Sequence, residues 1–122
     1  MKKHFLFTSL IVTLFILAFS PAKKSIVGHW KMSYGNGMTG KAQFNSDGTY
    51  EATFDGQDWK VGGTYKEDGG ITMITDSVCG NGYWGKYKSK WYTDDSLRTT
   101  AIEDSCSGRK ANADGAVMVR QK

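Results

Sequence analysis

From Gly28 onward the chain alternates. Polar and apolar residues exchange places at every position, and the alternating runs are separated by glycine turns at short intervals. Ser46-Asp47-Gly48, Asp55-Gly56 and Glu67-Asp68-Gly69-Gly70 each supply a glycine for the positive φ that tight hairpin turns need. A period of two places successive side chains on opposite faces of a strand, so each run predicts a strand with one face buried. Helical periodicity is nearly absent after residue 22. The one proline, Pro21, lies ahead of all the runs, so nothing interrupts continuous strand pairing.

The runs are 26–34, 40–45, 49–54, 58–66, 71–76, 83–92, 97–103 and 115–121. Their short connections predict an all-β fold, an antiparallel up-and-down barrel of about eight strands or a tight sandwich, with closure removing exposed edges. Parity assigns the faces. Trp30 points inward and His29 outward. Tyr50, Ala52 and Phe54 share one face, as do Trp59, Val61, Gly63 and Tyr65. Tyr83, Gly85, Tyr87, Ser89 and Trp91 share the inner face of the longest run, while Trp84 groups with Lys86, Lys88 and Lys90 on the solvent face. Residues 104–114 are polar and irregular, with room for a short turn of helix.

The first 22 residues read as a signal peptide. Lys2 and Lys3 precede an apolar run from Phe5 to Phe19, and Ser20-Pro21-Ala22 places small residues at a cleavage site. The expected organisation is a signal peptide over 1–22 and one barrel domain over 23–122, exported to the periplasm or secreted, with no stable membrane insertion after cleavage. Residues 23–122 hold fourteen Lys and Arg against twelve Asp and Glu, so the full-length charge of +4 overstates their basicity. No basic run with interleaved aromatics is present, and nucleic acid is not an expected partner.

Cys79 and Cys106 are the two cysteines. In an exported chain an even count favours a disulfide. The loop it closes has about 28 residues, worth roughly 3.5 kcal/mol in the chain-entropy picture. Two strand ends share a pattern, Asp76-Ser77-Val78-Cys79 and Asp104-Ser105-Cys106, so the bridge also brings Asp76 near Asp104. With Glu103 these carboxylates could serve acid–base work or a calcium ion. They read instead as turn caps, with Arg109 as an ion partner. His29 has no nucleophile or acid in a triad-like order, no cysteine–histidine set suits a metal, and no glycine-rich loop opens a helix. Neither catalysis nor a cofactor nor a metal is expected.

Four segments resemble the lipocalin-like small β-barrel proteins of bacteria: Ile26-Val27-Gly28-His29-Trp30-Lys31, Phe44-Asn45-Ser46-Asp47-Gly48-Thr49-Tyr50, Gly63-Thr64-Tyr65-Lys66 and Ile102-Glu103-Asp104-Ser105-Cys106-Ser107-Gly108-Arg109. The resemblance covers essentially all of 23–122, although the chain is far shorter than a true lipocalin and lacks the long C-terminal helix. Avidin-like barrels also start on a Gly-x-Trp strand. The resemblance implies a calycin-type barrel in which Trp30 closes one end against an arginine of the last strand, Arg120, with Arg109 as the runner-up.

The leading functional expectation, read from the aromatics of an eight-stranded barrel, is non-catalytic binding of a small apolar or amphipathic molecule in or at the mouth of the barrel. The candidate lining is Tyr50, Trp59, Tyr65, Tyr83, Tyr87 and Trp91. The same aromatics could equally pack as a filled core. The alternative function is a protein-interaction or inhibitor module of the cell envelope, working through its loops and exposed aromatics such as Trp84.

Overall fold

The structure is a computed structural model and describes residues 24–122. The expected signal segment lies outside the described residues. Eight strands form a closed antiparallel barrel in simple sequence order. They are β1 (Gly28–Ser33), β2 (Thr39–Phe44), β3 (Thr49–Phe54), β4 (Lys60–Asp68), β5 (Ile71–Asp76), β6 (Gly85–Thr93), β7 (Ser96–Glu103) and β8 (Val117–Arg120). Among the described residues a single helix, α1 (Ser107–Ala113), occupies the irregular stretch between β7 and β8. The expected eight-stranded meander is therefore the observed fold, and it is compatible with a calycin-like barrel.

Closure rests on β8. It pairs with β1 through Trp30↔Arg120 to Ser33↔Val117, and with β7 through Ser96↔Val119 to Arg98↔Val117. The interior follows the alternation: Trp30, Met32, Ala42, Phe44, Tyr50, Ala52, Phe54, Val61, Tyr65, Leu97 and Met118 are all buried. Phe44 stacks on Tyr50 at 5.2 Å and meets Tyr65 edge-on at 5.1 Å. His29 is exposed, as its parity requires.

Two inward placements are corrected. Trp59 is 48 % exposed and Tyr83 is 61 % exposed. Both precede their strands rather than lying in them. The turn after β3 carries the bond from Gln57 N–H to the Phe54 carbonyl, which delays β4 to Lys60 and leaves Trp59 outside, its ring 4.7 Å from Phe54. β6 likewise starts at Gly85, so Tyr83 belongs to the loop, where parity has no meaning.

Each end of the barrel has its own closure. At the end where β1 begins, the Trp30 indole N–H donates to the Ile26 carbonyl at 2.7 Å, so residues 24–27 fold across the opening. Arg120 lies over the Trp30 ring at 4.3 Å, and its guanidinium donates to the carbonyls of Val27 at 2.8 Å and Ser25 at 3.1 Å. Gly28 has a φ of +134°, and a Cβ there would sit 2.8 Å from Arg120 Nη1. The positive φ is what calls for glycine at the start of Gly-x-Trp. Arg120, the first of the two arginines expected on Trp30, is the one that stacks there.

The opposite end is closed by α1 and the Cys79–Cys106 disulfide, whose Cα atoms are 5.9 Å apart. The bridge is consistent with an exported chain in an oxidising compartment. It spans 27 positions, so reduction is expected to lower unfolding free energy by roughly 3 kcal/mol. Urea melts with and without reductant measure this; a loss below about 1 kcal/mol would show that the lid is held by its other contacts.

Candidate functional site

The two ends differ chemically, and each gathers residues singled out by the sequence. At the lidded end Arg109 is 3 % exposed. Its Nε donates to Asp104 Oδ2 at 2.7 Å and its Nη2 to Asp104 Oδ1 at 2.9 Å, a two-pronged pair. Nη2 also donates to the Tyr83 carbonyl at 2.7 Å, and Nη1 lies 3.5 Å from Asp76 Oδ1. The Tyr50 hydroxyl donates to Asp76 and the Tyr87 hydroxyl to Asp104. The Val78 N–H bonds Asp76 Oδ1 at 3.0 Å and the Cys106 N–H bonds Asp104 Oδ1 at 2.9 Å. Those two bonds are the turn caps expected from the repeated Asp-Ser pattern.

All four carboxylate oxygens therefore accept at least one hydrogen bond. The arrangement joins β3, β5, β6, the end of β7 and α1 through side chains engaged with one another. Gly85 makes room for it, since a Cβ there would fall 2.4 Å from Asp104 Oδ2.

Titration follows from this geometry. Burial raises the Asp104 carboxyl, but the Arg109 and Tyr87 hydrogen bonds, the Cys106 N–H and the Arg109 charge outweigh it, so the pKa is lowered. The hydrogen bond to Asp104 raises Arg109 further. Burial, followed by the hydrogen bond to a carboxylate, raises both Tyr50 and Tyr87.

At the Trp30 end lies a groove of about 490 Å3 between residues 24–26, the β4–β5 turn and β6, lined by Lys24, Glu67, Asp68, Ile71 and Trp91 among others. Trp91 is half-buried and meets Trp30 edge-on at 6.0 Å. Glu67 holds the flap in place by accepting the Ile26 N–H at 2.6 Å. Inside the barrel is a cavity of about 90 Å3 with almost wholly apolar walls, including Met32, Phe44, Tyr50, Ile74 and Met118. Ile26, Thr72 and Ser89 line both spaces. The Ser89 hydroxyl at this junction is buried and has no hydrogen-bond partner among the described residues. A buried hydroxyl without a protein partner is open to a hydrogen bond from water or from the polar group of a ligand.

The candidate aromatics thus divide. Tyr50 and Tyr87 line the cavity, but their hydroxyls are committed to the ion cluster. Tyr65 is buried and donates to the Asn45 carbonyl at 2.5 Å. Trp91 is at the groove, while Trp59 and Tyr83 are outside. Trp84 is half-buried under Lys66, whose Nζ is 4.8 Å from its ring. Ile26, Thr72 and Ser89 were not singled out from the sequence. Ser89 carries a legible signal, a hydroxyl at an inward position between Tyr87 and Trp91. Thr72 and Ile26 carry none that separates them from ordinary core residues.

No family model, no curated protein and no solved structure matches the chain.

Proposed function

We propose that this is an exported, lipocalin-like, non-catalytic binding protein of the periplasm or the extracellular space, and that it takes a small amphipathic molecule at the groove. One observation carries the reading: the outer groove and the apolar interior meet at Ile26, Thr72 and Ser89, with the free hydroxyl at the junction. The interior alone is small beside the roughly 300–1,000 Å3 of ordinary ligand pockets. It suits the end of an acyl chain or a single ring. The larger groove, with Lys24, Glu67 and Trp91, suits the remainder. Ser89 donates to or accepts from the polar group where the two portions join.

Titration with N-phenyl-1-naphthylamine, a neutral apolar fluorophore, tests this. Saturable quenching of tryptophan fluorescence is expected, with Trp30 and Trp91 as the reporters. Ser89→Phe fills the junction and is expected to weaken binding by at least tenfold while the thermal melt stays cooperative. Non-saturable quenching by the unaltered protein, or unchanged binding by Ser89→Phe, sinks the reading.

A further inference from the structure

The outer surface of β5, β6 and β7, with the adjoining part of β4, carries five exposed cations: Lys66, Lys86, Lys88, Lys90 and Arg98. Pairing registers set them in rows across the sheet. One row runs Lys66, Met73, Lys86, Glu103; the next runs Asp68, Ile71, Lys88, Thr100; the third sets Lys90 directly opposite Arg98. Along β6 the lysines are about 7 Å apart. Two carboxylates, Asp68 and Glu103, border the patch. Five cations against two carboxylates give it +3, more than the net +2 of residues 23–122 as a whole.

None of the five lies within ion-pair distance of a carboxylate among the described residues. Like charges directly opposite on neighbouring strands are unfavourable, so Lys90 and Arg98 hold their places at a cost. Apolar side chains are set among these cations. Ile71 is 39 %, Tyr92 51 % and Ile102 53 % exposed, and Lys90 lies 5.7 Å from the Tyr92 ring.

We propose that this face docks on an anionic phospholipid bilayer. A soluble polyanion would satisfy the cations and leave Ile71, Tyr92 and Ile102 in water. A bilayer satisfies both: the lysines reach headgroup phosphates while the apolar side chains enter the boundary beneath them. Ile71 also lines the groove, so the docked face borders the mouth of the barrel. The docking does not depend on what the cavity holds.

Sedimentation with vesicles of 70:30 phosphatidylcholine and phosphatidylglycerol, against pure phosphatidylcholine, tests the face. Binding to the anionic vesicles is expected to be at least tenfold tighter and to weaken with salt. The variant Lys88→Gln/Lys90→Gln/Arg98→Gln is expected to lose on the order of 100-fold, because each cation near the surface contributes similarly. The comparison variant removes three cations elsewhere on the barrel, Lys31→Gln/Lys41→Gln/Lys60→Gln. It includes a second directly opposed pair of cations, Lys31 and Lys41, and is expected to bind within about fivefold of the parent. Thermal melts confirm that both variants fold. Equal binding to the two vesicle types, equal losses in the two variants, or binding to polyphosphate or an oligonucleotide with vesicles left free would each overturn the proposal.

Discussion

Arg109→Met is expected to destabilise the protein by roughly 3–5 kcal/mol, the range for removing one partner from a buried ion cluster. The guanidinium is the only cation in a cluster that holds two carboxylates, and Arg109, Asp76 and Asp104 side chains are all at or below 3 % exposure. Without it the barrel contains two uncompensated acids, and its only relief is to protonate them or open the lid. Urea unfolding of Arg109→Met measures the loss. The variant Arg109→Met/Asp76→Asn/Asp104→Asn should recover most of it, because replacing a whole buried cluster costs far less than breaking it. A single variant within 1 kcal/mol of the parent would show that water already reaches the cluster.

The same cluster predicts the edges of the pH-stability profile. The Asp104 pKa is lowered in the folded state, so its contribution is present above the ordinary value of 3.8 and is lost as pH falls through the lowered one. Tyr50 and Tyr87 are raised, so their contribution is present below the ordinary value of 10.0 and declines as pH rises above it. The cluster thus contributes a plateau between about pH 4 and 10, with loss on both sides. Arg109→Met should move the acid edge upward.

The second large effect belongs to Trp30→Ala, expected to cost roughly 3–5 kcal/mol. Trp30 is fully buried. The substitution removes the indole from beneath Arg120, the edge contact with Trp91 and the hydrogen bond that holds Ile26 across the opening. Trp30→Phe keeps much of the ring volume and loses the N–H, so it should cost markedly less and isolate the flap. The readout is twofold: the urea midpoint, and the rate of proteolysis within residues 24–27. A Trp30→Ala loss no larger than that of Trp30→Phe would mean that the indole does not support the barrel end.

Much of this fold is legible because a barrel's alternation is local. A side chain in a strand has its direction set by parity, and inside the strands parity placed Trp30, Tyr50, Tyr65, Tyr87 and His29 where they are found. It failed at Trp59 and Tyr83 because it holds only within a strand, and a turn of different length ends its authority. The bridge was readable from the even cysteine count of an exported chain, and the meeting of Asp76 with Asp104 from two matching strand ends. What could not be read was the groove. It is assembled from residues 24–26, the β4–β5 turn and β6, which no local pattern unites. The basic face was legible in part. Parity sets Lys86, Lys88 and Lys90 on one solvent face of β6, but Lys66 and Arg98 lie on β4 and β7, and only the pairing register gathers them with Tyr92 and Ile102.

Strand order has a kinetic consequence. Seven of the eight pairings join neighbours in the chain, and each can form as soon as a hairpin is available. The eighth, β1 with β8, brings together residues 90 positions apart, Trp30 and Arg120. Closing so long a loop carries the largest entropic cost in the fold and makes this pairing the natural last step. The edge of β1 stays unpaired, and Trp30 stays without its arginine, until residues 117–120 arrive. A chain still emerging from a ribosome can form hairpins, but it cannot become a barrel.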